Sequence, residues 1–410
     1  MTVRVAVTGL GCVSGLGQGM AATWAGLTDG RGGVRPLSRR FGDDPRFALE
    51  GPAAFVETVD GSALETHLGR RVMAQLDPVC AYAVVATHEA LADAGLLDQP
   101  DLLGDAAILY GGASGGNVTI EESYARLFLK GQSSVHPLTI PKYMASAAVG
   151  QISMLFGVKG MAFAIASACA SSAHAIAEAM HLVRAGRSKI VLAGGADASL
   201  TYGSWTAWKA LRAMAPDACR PFSSERKGMV LGEGAATLVL EDLDHARARG
   251  ATIHAEVIGA GATSDAFDLT QPDGVGAAKA MVQARADAGV GSDEPCLISA
   301  HGTGTPLNDK MEAQALREVF GRDMERHCVI ATKSAHGHLL GAGGAIEFVA
   351  GLRALKEGLA PPILNYLGPD PDCDLPLSLG EPRLIDHALL MSNSFAFGGM
   401  NSVLIARRFG

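Results

Sequence analysis

The sequence predicts an α/β protein built from two similar halves, and three observations carry that expectation. Short apolar runs recur along the chain, RVAVTGLG, AAILYGG, KIVLAGGA, CLISAHG and ALLMSNS, each closing on small or polar residues. Runs of this length and continuity mark strands buried on both faces. Longer segments with apolar side chains at helical spacing lie between several of them. The succession of helix, glycine and apolar strand occurs once in each half, a weak internal repeat with its boundary in HARARGATIHAEV, residues 245–257. The halves are set at 1–252 and 253–410; no low-complexity linker separates them, so they are expected to pack as one body.

The opening run is the first strand. Its continuation GLGCVSGLG, residues 9–17, superficially matches a dinucleotide-binding turn. Gly9, Gly11 and Gly15 miss the GxGxxG spacing, however, and no acidic residue ends a second strand about 20 residues on, so nicotinamide is excluded. Residues 76–95, LDPVCAYAVVATHEALADAG, repeat apolar side chains with a helical period and stop at a glycine, as do residues 277–289, AAKAMVQARADAG. AAILYGG leads into the turn GGASGGNVTI, residues 111–120. After Cys169, the positions Ala173, Ile176, Ala177, Met180 and Val183 mark a helix that Gly186 ends. The proline-rich residues 360–382 read as an ordered surface connection ahead of a final strand pair.

At 410 residues, 48% hydrophobic and only 19% charged, the chain can bury a large core. A net charge of −8 disfavours nucleic acid as the main partner but leaves room for a local basic patch that receives an acidic protein. The seven cysteines are scattered and form no CxxC pair, which argues against a disulfide framework and fits a reducing cytoplasm. The start, MTVRVAVTGLG, places Arg4 inside its apolar run, and no later window offers roughly 18 uninterrupted apolar residues. A soluble, untargeted, cytoplasmic protein without a membrane partner is expected.

The stretch IASACASSAHA, residues 165–175, sets Cys169 among side chains too small to cover it. It falls at or just before the first turn of its helix, where unpaired N–H groups and the helix dipole favour a thiolate, so a lowered thiol pKa is expected. Ala168, Ala170, Ser171 and Ser172 leave room for a carbonyl to approach. A solitary buried cysteine is usually inert. Two further segments change that reading. SAHGTGTPLNDKMEAQAL, residues 299–316, carries His301, Thr303, Thr305, Asp309 and Glu312; TKSAHGHLLGAGGAIEFV, residues 332–349, carries Lys333, His336, His338 and Glu347. The wide spacings and the lack of a second thiolate at ligand distance argue against zinc, and no metal is expected. Acyl transfer needs a nucleophile, donors for an oxyanion, and groups that handle protons or enolate charge; this set supplies all three.

With these motifs in hand, essentially the whole chain resembles the β-ketoacyl-acyl carrier protein synthases, most closely the elongating condensing enzymes of fatty acid and type II polyketide pathways. The resemblance rests on VTGLGCVSGLG at the start, SACASS around Cys169, RPFSSERKGMVLGEGAA at 220–236, SDAFDLTQP at 264–272, HGTGTPLND at 301–309, KSAHGHLLGAGGAIE at 333–347 and NSFAFGGMN at 393–401. It implies the thiolase-like fold, two pseudo-repeated halves in stacked α-β-α-β-α layers. It further implies a homodimer, or a heterodimer with a chain-length subunit, acting on substrates held by the phosphopantetheine of an acyl carrier protein and needing no cofactor. Carried over residue by residue, Cys169 accepts the acyl chain, and His301 and His338 stabilise the enolate formed as a malonyl thioester loses CO2. The backbone N–H groups of Cys169 and Phe397 form the oxyanion hole, and Phe397 gates the cavity. Lys333 and Glu347 organise the histidines, Asp309 and Glu312 support them from behind, and Thr303 and Thr305 contact the pantetheine arm. Ser114 stands partway down the acyl pocket. Arg70, Arg71, Arg126, Lys130 and Arg212 fall in segments that border the cavity mouth and would receive the carrier.

The chain also departs from the family pattern. Ala396 stands where most relatives have glycine, and Met400 where they have threonine. Ser223, Lys227 and Met229 replace the Asp, Asp and Phe of RPFDxxRDGF, changes expected to alter surface and subunit packing. His336 stands where threonine is frequent and is expected to be structural. These departures lean towards the dedicated synthases of specialised acyl or polyketide products, including the nodulation-type branch. A non-catalytic chain-length partner is the other reading, but such relatives lack the cysteine that this chain has at 169. Thiolase-type cleavage on coenzyme A fits worse, because those enzymes use a second late cysteine where this chain reads NSFAFGGMN.

Overall fold

A computed structural model describes residues 3–40 and 47–410. Ten strands form one continuous path through the molecule. In the first half these are Val5–Ser14 (β1), Ala107–Gly111 (β2), Ala162–Ile165 (β3), Ile190–Asp197 (β4) and Gly234–Asp242 (β5). The second half supplies Ala255–Ser264 (β6), Cys296–Ser299 (β7), Cys328–Ile330 (β8), Leu389–Ala396 (β9) and Met400–Arg408 (β10). The order across the sheet is β8-β7-β9-β10-β6-β1-β5-β4-β2-β3. Counted within its own half, each set of five runs third, second, fourth, fifth, first, with parallel pairs outside and antiparallel pairs inside. The halves meet where β1 pairs antiparallel with β6, Val5 opposite Val257.

Alternation along the strands decides which helices each half can bury. Leu109 and Val191 from the first half, and Leu297, Ile330 and Leu390 from the second, share one core with the helices Ser171–Arg184 (α2) and Gly343–Glu357 (α5). The alternate residues Ile108 and Leu192 turn the other way, into a separate core with Pro78–Asp93 (α1). Ile298, Val329 and Met391 do the same in the second half, against Gly274–Ala288 (α3) and Pro306–Phe320 (α4). The result is helix, sheet, paired inner helices, sheet, helix, the layered arrangement of the thiolase-like fold.

The helix ends follow their local chemistry. Asp77 caps α1 by accepting the Val79 N–H at 3.0 Å, with Pro78 in the first turn. Gly289 ends α3 in the left-handed conformation. Both inner helices enter through a short 3₁₀ turn, Ala168–Ala170 before α2 and Leu340–Ala342 before α5. Each turn begins on a non-glycine residue in the left-handed region, Ala168 and Leu340, both at φ 48°. The internal repeat thus extends to the strained elbow that introduces each buried helix. β3, which lies in none of the apolar runs that marked strands in the sequence, sits at the sheet edge with its Phe163 exposed. Among the described residues no helix is long and apolar enough to cross a membrane.

Candidate active site

The strands of both halves deliver their C-terminal ends to one place, where open α/β sheets bind their ligands. Cys169 follows β3, Asp197 ends β4, His301 follows β7, Lys333 and His338 follow β8, and Phe397 follows β9. The Cys169 thiol sits at the α2 elbow with its Sγ facing two backbone N–H groups, its own and that of Phe397. Phe397 reaches that position through the turn Gly398–Gly399, whose φ values of 81° and 71° suit glycine.

The thiol is nevertheless not the lowered one expected from its helix. Burial pushes Cys169 up to about 11, against the downward pull of the Lys333 charge and the two N–H groups. The side chain is only 8% exposed, so loss of hydration outweighs a dipole that acts through the first turn alone. Of the seven cysteines, all buried, Cys169 is the one that lines the main cavity among the described residues. Iodoacetamide should therefore select Cys169 by access, and its rate should climb about tenfold per pH unit well past neutrality. Peptide mapping across a pH series checks this; a plateau near pH 7 would restore the low-pKa thiolate.

His301 and His338 meet edge to face, ring centroids 5.5 Å apart. Lys333 Nζ donates to His301 Nδ1 at 3.2 Å, and the Leu340 N–H donates to His338 Nδ1 at 3.3 Å. With both Nδ1 atoms accepting, each ring carries its proton on Nε2. Both rings are held well below the ordinary histidine pKa by burial first and the Lys333 charge second, so both are neutral donors. Lys333 is buried, donates to the His301 carbonyl at 2.6 Å, and pairs with the buried Glu347. Burial pushes the Glu347 carboxyl up, and Lys333 pulls it back.

Behind the histidines, Glu312 accepts the N–H groups of His301 and Gly302, both at 2.8 Å, and the Asn393 amide at 3.1 Å. Asp309 accepts the N–H groups of Phe222 at 2.8 Å and Gly304 at 3.1 Å; burial raises its pKa to about 6. These bonds fix the loop 301–305, in which the Thr303 and Thr305 hydroxyls bond each other at 2.8 Å. His336 points elsewhere, bonding the Gly337 carbonyl at 2.7 Å and Thr332 Oγ1 at 2.9 Å. Cys169, both histidines, both threonines and Phe397 line one cavity of about 400 Å³ that opens to solvent.

Comparison with known proteins shows the family. A model described as Beta-ketoacyl synthase, N-terminal domain, matches residues 2–246, and one described as Beta-ketoacyl synthase, C-terminal domain, matches residues 254–367. The chain belongs to the β-ketoacyl synthase family. It is 42% identical over 409 residues to Nodulation protein E of Rhizobium sp. (strain N33), covering 100% of both chains. It is 35% identical over 414 residues to 3-oxoacyl-acyl-carrier-protein synthase 2 of Staphylococcus aureus (strain MRSA252), covering 99% of each. Among solved structures, the ishigamide ketosynthase/chain length factor matches with a TM-score of 0.92 at 34% identity over 100% of each chain. The activity is that of a condensing enzyme, an acyltransferase of the ketosynthase kind.

Within this ketosynthase, not every residue singled out from the sequence lines the Cys169 cavity. Ser114 lines a separate small cavity with Met144 and Val149, and its hydroxyl bonds Ser199 Oγ at 3.1 Å and Asn117 Nδ2 at 2.9 Å. A side chain committed to that turn does not narrow the Cys169 cavity. Of the five basic residues, Arg212 lines the cavity, whereas Arg70, Arg71, Arg126 and Lys130 do not. Arg126 instead faces Glu122 one helical turn away, at 3.9 Å. Conversely, Lys227 and Met229, assigned from sequence to surface and subunit packing, both line the cavity. Sequence reasoning also passed over Trp208, whose ring stacks on Phe397 at 5.9 Å, and Asp197, a carboxyl buried close enough to oppose ionisation of Cys169. The one available signal for Asp197 was an acidic residue ending an otherwise apolar strand.

Proposed function

We propose that the enzyme elongates an acyl chain held as a thioester on Cys169, using a malonyl thioester of an acyl carrier protein as the extender. The first half, 1–252, contributes the nucleophile and the second, 253–410, both histidines. In the first step Cys169 sulfur bonds the acyl carbon and the carrier thiol departs with the proton, while the N–H groups of Cys169 and Phe397 hold the oxyanion. In the second, the bond from the malonyl methylene to its carboxylate breaks and CO2 leaves. Its electron pair passes into an enolate whose oxygen takes the Nε2–H groups of His301 and His338. The enolate carbon then attacks the acyl carbon, and the Cys169 sulfur departs. Lys333 positions His301, Glu347 anchors Lys333, Glu312 and Asp309 hold the loop, and Thr303 and Thr305 meet the pantetheine arm. Phe397 gates the cavity.

The observation that carries this reading is the pairing of a buried thiol under two N–H donors with two neutral imidazoles that both present Nε2–H. A chain-length subunit without a nucleophile would have no use for that combination. The chemistry needs no metal or organic cofactor, because the thioester itself supplies the electrophile. The protein works in the cytoplasm, as a homodimer or paired with a chain-length subunit. The similarity to Nodulation protein E supports a specialised acyl product. Intact mass after incubation with a panel of acyl carrier thioesters should show one acyl group per chain, absent from the Cys169→Ala protein. Acylation retained in that variant would remove Cys169 from its role.

A further inference from the structure

The ring of Phe397 has a partner to which the chemistry above gives no task. Trp208 lies against it with centroids 5.9 Å apart and planes 26° from parallel, an offset stack, and both residues line the Cys169 cavity. Among the described residues Trp208 is the one aromatic ring that meets Phe397. The two sides of the contact are held very differently. Trp208 stands on the helix Tyr202–Ala210, one turn after the buried Trp205, and packs on a core cluster that includes Trp205, Met229 and Leu340, the residue that opens the α5 elbow. Phe397 precedes the Gly398–Gly399 turn, whose remaining ties run to an exposed loop. There Gly398 N–H donates to the Leu269 carbonyl at 2.8 Å, and Asp265 N–H donates to the Gly399 carbonyl at 2.9 Å.

The backbone N–H of Phe397 faces the Cys169 sulfur. Two successive glycines leave such a peptide free to swing, so the direction of that N–H is not fixed by the turn itself. An oxyanion donor accelerates a reaction only when it is aimed before the charge develops. A ring pinned to a rigid helix restricts its own Cα, and with it the N–H. We propose that Trp208 is a positioning residue for the oxyanion hole, holding Phe397 by its ring so that the N–H of that residue stays aimed at the Cys169 sulfur. The proposal rests on the reading above that this N–H serves acyl transfer. Opening the gate and dismantling the hole then become one event, since both separate the two rings. The enolate step is indifferent to the stack, because its donors, His301 and His338, stand on other loops.

The test measures two rates for each protein, acylation of Cys169 followed by intact mass and CO2 release from the malonyl thioester. Trp208→Leu, which keeps an apolar contact but no ring, should lower kcat for acylation about tenfold with KM little changed, less than the loss of a whole donor. Trp208→Phe should recover most of that rate, because it can still stack. CO2 release should stay within about twofold of the wild type in both, since no enolate donor is touched. Phe397→Ala, which leaves the backbone N–H and Trp208 in place, should reproduce the slow acylation, and adding Trp208→Leu should slow it no further, because the two rings act as a unit. Unchanged kcat in Trp208→Leu or in Phe397→Ala overturns the proposal. Losses that multiply in the double variant, or CO2 release that falls in step with acylation, overturn it as well. A wild type that does not acylate Cys169 would count against the proposed function instead.

Discussion

Replacing His338 with Ala should slow CO2 release from the malonyl thioester on the order of 100- to 1000-fold, the usual loss when one oxyanion donor is removed. Acylation of Cys169 should survive, because the N–H groups at its sulfur belong to Cys169 and Phe397. The defect should also be flat between about pH 6 and 8, because burial and Lys333 keep both imidazoles neutral well below that window. A histidine acting as an acid or base would instead bend the profile near its pKa. His338→Asn, which can offer an amide N–H, should recover part of the rate. Unchanged CO2 release from the Ala variant would strip His338 of its donor role, and a bell-shaped profile in the wild type would replace donation by proton transfer.

The second large effect is on stability. Glu347→Leu should cost about 3–5 kcal/mol, because it leaves the Lys333 ammonium buried without a counter-charge. Lys333 is 1% exposed, and its remaining contacts, the carbonyl and Nδ1 of His301, are neutral acceptors. Lys333→Met combined with Glu347→Leu should recover most of the loss, since the desolvation of both charges disappears together. Urea unfolding midpoints of the three proteins settle the comparison. If Glu347→Leu unfolds with the wild type, Lys333 does not carry its charge in the folded state. The double variant should still release CO2 slowly, because it frees His301 from the contact that fixes its tautomer.

Much of this site was legible in the sequence because its residues lie within single loops. Cys169 among small residues, His301 ahead of a capped helix, and Lys333 with His338 in one turn each carry their context in ten or so neighbours. What was not legible depends on chains meeting across the fold. The thiol pKa turns on how completely two halves enclose Cys169, which no local pattern records. The surroundings of Ser114 were not legible because its neighbours Ser199 and Val149 come from distant segments. Lys227 and Arg212 come from separate segments and line the same cavity only once the chain is folded. The strands were recognisable as apolar runs, whereas the matching order of the two halves emerged only from their pairing.

The twin elbows have a consequence for how such a molecule can diversify. By position in its 3₁₀ turn, the counterpart of Cys169 in the second half is Gly341. A Cβ built there would lie 2.1 Å from the Ala113 backbone nitrogen, so no side chain fits. A gene duplication would have supplied two nucleophile positions, but the chain of the first half occupies the space that one of them needs. The symmetry of the two elbows is therefore broken by crowding, and a second nucleophile is barred from this elbow unless the turn at 112–113 is rebuilt first. Evolution and engineering alike are left to vary the histidine side and the entrance, with the attacking atom fixed in one half.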